Sequence, residues 1–174
     1  MIIAPIGFYD SIVQDELTSV QASQMTAGDL ITAGKLILPN VVRTQGGAAL
    51  LKEFWLLQQD TLGGTDLEKD ITELYVFDNE TALGALVSGS PFALDATTKI
   101  TNIVYHKIFA ANEWVTTKDG ANCYLRITDI NAYCQVIDPA QYSLGYCLVT
   151  GGTPTFSNHT LTTRFSFEQI KVKD

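Results

Sequence analysis

Apolar residues alternate with polar ones along residues 161–168, near the end of the chain. One series consists of Leu161, Thr163, Phe165 and Phe167. The other series consists of Thr162, Arg164, Ser166 and Glu168. Because successive side chains of a β-strand point to opposite faces, this period of two predicts a strand with one buried and one solvated face.

The same alternation predicts further strands upstream. Residues 71–78 alternate and end in the Asp78-Asn79 turn pair, and residues 100–109 resume the pattern. Between them, residues 83–98 contain glycine, serine and proline and are predicted to form a long loop, with room for one helical turn. The first forty residues look least regular, although residues 12–20 could form a short strand.

Three more strands are predicted elsewhere. Residues 41–44 are a β-branched run that ends before Gly46-Gly47. After the turn at residues 118–120, the side chains expected to face inward are Cys123, Leu125 and Ile127, opposite Tyr124, Arg126 and Thr128. Leu144–Thr150 is apolar in both phases, which is typical of a strand buried on both faces.

Residues 49–58 admit two structures. As a strand, the segment places Leu51, Trp55 and Leu57 on one face and Leu50, Phe54 and Leu56 on the other. A helix is the alternative, because Leu50, Phe54 and Leu57 also fit helical spacing. The strand is favoured, since glycine pairs at positions 46 and 63 bracket a length typical of strands.

Seven or eight strands with turns between them, and few convincing helices, predict an all-β fold. The expected architecture is an antiparallel β-sandwich, jelly-roll-like, whose strand order the pattern does not give. Residues 27–174 are predicted to form this single domain, and residues 1–26 an N-terminal arm or an edge strand. The start of the chain is apolar, with Ile2, Ile3, Ile6 and Phe8, so it is expected to need a partner surface.

Composition excludes several classes of partner. The 174 residues carry 11 basic and 19 acidic side chains, a formal charge of −8, and an acidic surface repels nucleic acid. Apolar runs fall far short of the about 20 residues that span a bilayer, so no membrane anchor is expected. The first ten residues lack the features of a secretory signal, so synthesis in a cell cytoplasm is expected.

No pattern predicts catalysis, a cofactor or a metal. His106 and His159 stand in different segments without partners at metal-ligand spacing. Asp66, Glu68 and Asp70 resemble the start of a calcium loop, but Ile71 replaces its required glycine. Nucleophile-elbow and phosphate-loop motifs are missing, so no enzyme is expected. Three cysteines at irregular spacing indicate reduced core thiols: Cys123, Cys134 and Cys147.

Several segments resemble one protein family. Residues 36–43 (LILPNVVR), Gly46-Gly47 and Leu51-Lys52 look like the opening of the small head decoration, or cement, proteins of tailed bacteriophages. Residues 74–79 (LYVFDN) are similar to the first hairpin of that family, and residues 152–156 with 161–167 resemble its closing strand. The resemblance covers most of the chain from about residue 27, but not residues 105–142.

The resemblance implies a structural virion protein without a catalytic site. Such a protein binds the major capsid protein on the outer surface of the shell, over gaps between subunits, often as a homotrimer, and stabilises the capsid. The alternative is a lectin-like carbohydrate-binding β-sandwich of a phage or bacterial surface protein, with a host-surface glycan as ligand. For such a site Trp114 is the better surface candidate, whereas Trp55 is expected in the core.

Overall fold

The computed structural model describes residues 10–17, 20, 22–60, 67–78, 87–93, 103–136, 139–156 and 159–170. Within them lie ten β-strands and a 3-10 helix, Ala111–Glu113. The strands are β1 (Asp10–Glu16), β2 (Leu36–Leu38), β3 (Ala48–Asp60), β4 (Thr72–Asp78), β5 (Ile103–Phe109), β6 (Val115–Thr116), β7 (Asn122–Ile127), β8 (Ala132–Gln135), β9 (Leu144–Thr150) and β10 (His159–Gln169).

The strands form two antiparallel sheets packed face to face. The larger sheet has the order β1-β10-β3-β7-β6, and β8 also pairs with β3. The smaller sheet has the order β2-β9-β4-β5. The predicted all-β antiparallel sandwich is therefore confirmed.

The pairing scheme is that of a jelly roll. β1 pairs with β10, β2 with β9, β3 with β7 and β8, and β4 with β5, so early strands meet late strands in nested order. This nesting is that of one long hairpin. The pairs β10–β3 and β9–β4 then roll the hairpin into two sheets.

The inner faces of the two sheets share one core. Phe165 of β10 lies 5.0 Å from Phe54 of β3 and 4.8 Å from Tyr146 of β9, measured between ring centroids. The Tyr146 hydroxyl and Thr163 Oγ1, both buried, are 2.8 Å apart and join the two sheets. The inward series predicted for the last strand is fully buried and is confirmed: Leu161, Thr163, Phe165 and Phe167.

β3 contains a bulge that simple alternation does not predict. Ser166 of β10 pairs with Glu53, but Phe167 pairs with Leu51, so Lys52 is an extra residue in β3. The buried apolar side chains before and after it are Ala49, Leu51, Phe54 and Leu56. The strand prediction for this segment is confirmed, but the predicted division of its faces is wrong, because the bulge shifts the alternation by one residue.

β9 is buried on both faces, as predicted. On its outer side, Cys147 and Val149 pack in a second cluster with Leu30 and Phe77. Residues 28–31 pair with its second half, since Ile31 N donates to Leu148 O at 2.8 Å and Thr150 N donates to Asp29 O at 2.9 Å. The apolar side chains of β9 therefore pack on both faces within the chain.

Residues 41–44 are not a strand, contrary to prediction. Asn40 has a left-handed φ of 54°, and the chain bends through the following residues. Val41 and Val42 are nevertheless buried, at 0% and 2% exposure. Their β-branched side chains therefore serve the core rather than a sheet ladder.

The N-terminal strand β1 is an edge strand of the larger sheet, paired in register with β10 from Asp10 to Glu16. Asp10–Glu16 therefore form an edge strand, which was the predicted alternative to an arm. Residues 1–9 lie outside the described residues, so their role as an arm stays a prediction, as does the division of the chain at residue 27.

The predicted long loop is described only at residues 87–93. There the backbone runs beside Leu30: Gly89 N donates to Leu30 O at 2.7 Å, and Leu30 N donates to Ser90 O at 2.8 Å. The next strand, β5, begins at Ile103 in the described residues. The predicted strand residues 100–102 lie outside them.

The three cysteines are free thiols in separate strands, as predicted. Burial raises the pKa of Cys123 and of Cys134 to about 11, and it raises the pKa of Cys147 further still. A thiol reacts as its thiolate, so all three are protected in the folded protein at neutral pH.

We expect reductant to leave the unfolding midpoint unchanged, and a disulfide exchange reagent at pH 8 to label the thiols only after denaturant is added. The raised pKa values also predict the alkaline behaviour. Stability from the neutral thiols is complete below their ordinary pKa of 9.0 and declines as pH rises to about 11, because only the unfolded thiols ionise in that window. Rapid labelling of the native protein, or a midpoint lowered by reductant, would contradict the expectation that the thiols are free and protected.

Candidate functional site

The described residues hold no group of three or more histidine, cysteine, aspartate or glutamate side chains arranged to bind a metal ion. His106 of β5 has Nε2 at 3.3 Å from Glu73 Oε2, and its ring stacks on Tyr75 at 4.3 Å. His159 begins β10 in the other sheet, edge-on to Phe156 at 6.3 Å. The two histidines therefore belong to different sheets.

Asp70, the last residue of the acidic series that resembles a calcium loop, makes structural contacts. Its carboxylate accepts a hydrogen bond from Thr153 N at 3.0 Å, and its carbonyl accepts one from Trp114 Nε1 at 2.9 Å. Asp66 lies outside the described residues. Asp70 thus joins the start of β4 to the chain after β9.

Among the residues that the structure describes, no helix is long and apolar enough to span a bilayer.

The burial of the two tryptophans is the reverse of what was predicted. Trp114 is buried, at 7% exposure, with its indole N–H bound to Asp70 O. Trp55 is half-buried and lies on the side of the larger sheet that faces away from the core. Both predictions are wrong. For Trp55 the cause is the bulge at Lys52, which sets the phase of the rest of β3.

We call the side of β7, β3 and β10 that points away from the core the outer face. Its side chains are Asn122, Tyr124 and Arg126 on β7, Leu50, Lys52, Glu53, Trp55, Leu57 and Gln59 on β3, and Thr160, Thr162, Arg164, Ser166 and Glu168 on β10. All are half-buried or exposed. The outward direction predicted for Tyr124 and Arg126 is confirmed.

Trp55 is the centre of a cluster on the outer face. The Arg126 guanidinium carbon lies 4.3 Å from the indole centroid, and the Tyr124 ring lies 5.6 Å from it. Glu53 binds both Arg126 and Trp55, with Oε1 at 3.3 Å from Arg126 Nη2 and Oε2 at 3.4 Å from Trp55 Nε1. A cation over an indole face is attracted by the ring quadrupole, so these contacts hold Trp55 in a fixed orientation.

Trp55 also stands between two arginines. The register places Arg126 of β7 and Arg164 of β10 directly opposite it, one on each side. No ion pair joins Arg164 to a side chain that the structure describes. Arg126, Arg164 and Glu53 together carry a formal charge of +1, although the whole chain has −8, and the exposed Glu16 of β1 lies opposite Thr162. Trp55 and the two arginines beside it therefore combine an aromatic ring with two cationic groups on an acidic protein.

Sequence patterns missed this cluster because its members, together with Arg164, come from three strands. One local signal was available. Lys52-Glu53 interrupts an otherwise apolar run, and two adjacent charged residues in a strand indicate that both point away from the core. This interpretation of Lys52-Glu53 predicts the bulge and an outward direction for Trp55.

No protein-family model matches the chain, and no curated protein matches its sequence. Among solved structures, that of tomato aspermy virus aligns with a TM-score of 0.35 and 6% identity, over 95% of this chain and 80% of the other. That of Triatoma virus gives 0.28 and 11%, over 95% and 70%, and turnip yellow mosaic virus gives 0.25 and 12%, over 97% and 98%.

Proposed function

We propose that this chain is a structural virion protein, a decoration or cement protein that binds the outer surface of a major capsid protein shell. The observation that carries the proposal is spatial. Three of the segments that resemble phage head decoration proteins, residues 36–38, 74–78 and 152–156, lie far apart in sequence, yet in the fold they border one strand, β9.

Residues 36–38 form β2, which pairs with β9 on one side. Residues 74–78 belong to β4, which pairs with β9 on the other side. Residues 152–156 follow β9 directly and lead to β10. The other matching segments, Leu51-Lys52 of β3 and residues 161–167 of β10, lie in the larger sheet, where Phe167 is opposite Leu51. The matching segments thus form two groups of neighbours rather than a scatter of unrelated turns, which supports a shared scaffold.

The attachment to the shell is proposed to involve the apolar residues 1–9. They precede β1, which forms the rim of the larger sheet, and their side chains include Ile2, Ile3, Ile6 and Phe8. Taking three such side chains out of water would stabilise a complex by several kcal/mol, at about 1.5–3 kcal/mol each. A homotrimer on the shell remains part of the proposal.

The test is binding to capsids. We expect mass spectrometry to find the chain in purified virions, and the recombinant protein to sediment with undecorated capsids at a fixed stoichiometry and raise their disruption temperature. Fully decorated capsids are the control and should take up no more. Deleting residues 1–9 should weaken capsid binding at an unchanged melting temperature of the free protein. A protein that is missing from virions and does not bind shells would refute the proposal.

A further inference from the structure

The outer face carries one cross-strand row in which aromatic and cationic groups alternate. Arg126, Trp55 and Arg164 occupy directly opposite positions on β7, β3 and β10. Side chains opposite each other on neighbouring strands are about 5 Å apart at Cβ. A ligand that covers Trp55 would therefore be within reach of both guanidinium groups.

The two arginines differ in what they already bind. Arg126 stacks on the indole and is paired with Glu53, so it holds the ring in place. Arg164 is exposed, and none of the described ion pairs includes it. Its planar fork of donors matches a carboxylate in bidentate geometry. The row thus offers an oriented aromatic ring beside an arginine that is ready to bind an anion.

Besides Glu53, Leu57 and Tyr124, which lie next to the row, the outer face carries several polar, uncharged side chains. They are Thr160, Thr162 and Ser166 on β10, Gln59 on β3 and Asn122 on β7. Hydroxyl and amide groups both donate and accept hydrogen bonds. A protein-binding hot spot would instead have a desolvated apolar centre. This surrounding matches a ligand rich in hydroxyl groups better than an acidic protein surface.

We infer that the outer face binds an acidic saccharide, a uronate- or sialate-containing glycan, at the row Arg126–Trp55–Arg164. The apolar C–H face of a pyranose ring would pack on Trp55, and its carboxylate would bind Arg164. Its hydroxyl groups would bond to Thr162 and Ser166, which flank Arg164 on β10. The local charge agrees, because Arg126, Arg164 and Glu53 together carry a formal charge of +1 on a chain of −8. The inference does not depend on attachment to a capsid.

Tryptophan fluorescence tests it, because Trp55 is accessible and Trp114 is buried. The full-length protein would be titrated with tetragalacturonate and with sialyllactose, and maltotetraose and lactose would be the matched neutral probes. We expect a saturable change with at least one acidic probe and at least about tenfold weaker binding of its neutral counterpart. Isothermal calorimetry would repeat the titration without a fluorophore.

Variants identify the row. Trp55→Ala and Arg164→Ala should each weaken acidic-probe binding about tenfold or more, and Arg164→Lys should restore only part of it, because lysine lacks the bidentate fork. Tyr133→Phe, on the exposed part of β8, should change nothing. Melting curves verify that each variant folds. Three outcomes would overturn the inference: no binding of either acidic probe at about 10 mM, unchanged affinity in Arg164→Ala, or tighter binding of hexaglutamate than of both saccharides.

Discussion

Replacing Phe165 with alanine should destabilise the protein by about 3–5 kcal/mol, the usual cost of truncating a buried phenylalanine. The Phe165 ring is fully buried and touches the rings of Phe54 at 5.0 Å and Tyr146 at 4.8 Å. Its removal would leave a cavity where the two sheets meet, since rigid strands on both sides limit collapse. Denaturant unfolding followed by circular dichroism would measure the change.

Arg164→Ala is the matched control, because it removes a side chain from the same strand on its exposed face. Surface substitutions of this kind change stability by about 0.5 kcal/mol or less. A loss below about 1 kcal/mol in Phe165→Ala, or equal losses in both variants, would show that β10 does not face the core as described.

The hydrogen bond between Tyr146 and Thr163 is expected to couple the two sheets. Both side chains are fully buried, and their oxygens are 2.8 Å apart. Tyr146→Phe and Thr163→Val should each cost about 1–3 kcal/mol, because each leaves a buried polar group without this partner. The double variant should cost less than the sum, by a coupling of about 0.5–3 kcal/mol.

Tyr133→Phe on β8 controls for the loss of a tyrosine hydroxyl group, since this side chain is 58% exposed. It should leave the free energy of unfolding nearly unchanged. Strict additivity of Tyr146→Phe and Thr163→Val in the double-mutant cycle would mean that the two hydroxyls do not interact.

Alternation alone predicted the strands that have one buried face. In β10 and β7 every inward position was identified, because a period of two in the sequence becomes a period of two in burial. The two buried faces of β9 were also predicted, since apolar residues on both faces of a strand indicate burial on both sides. Local pattern was sufficient wherever the ladder was regular.

The remaining errors come from interactions between segments. Val41 and Val42 have β-branched side chains, yet a left-handed Asn40 turns them into the core outside any strand. Trp114 reaches Asp70 across the fold, so a polar neighbourhood in sequence did not mean exposure. The Arg126–Trp55–Arg164 row depends on the register of three strands, and no single segment contains it.

The bulge at Lys52 makes β3 two strands in series. Before it, Ala48–Leu51 pair with β8, and after it, residues 54–59 pair with β7. Ile130 N, in the connection between these partners, donates to Lys52 O at 3.1 Å. Without Lys52, Leu51 and Phe54 would still point inward on either side of Glu53. This is therefore the place in β3 where the chain could lose a residue without inverting either half, whereas a deletion elsewhere in the strand would exchange core and solvent side chains.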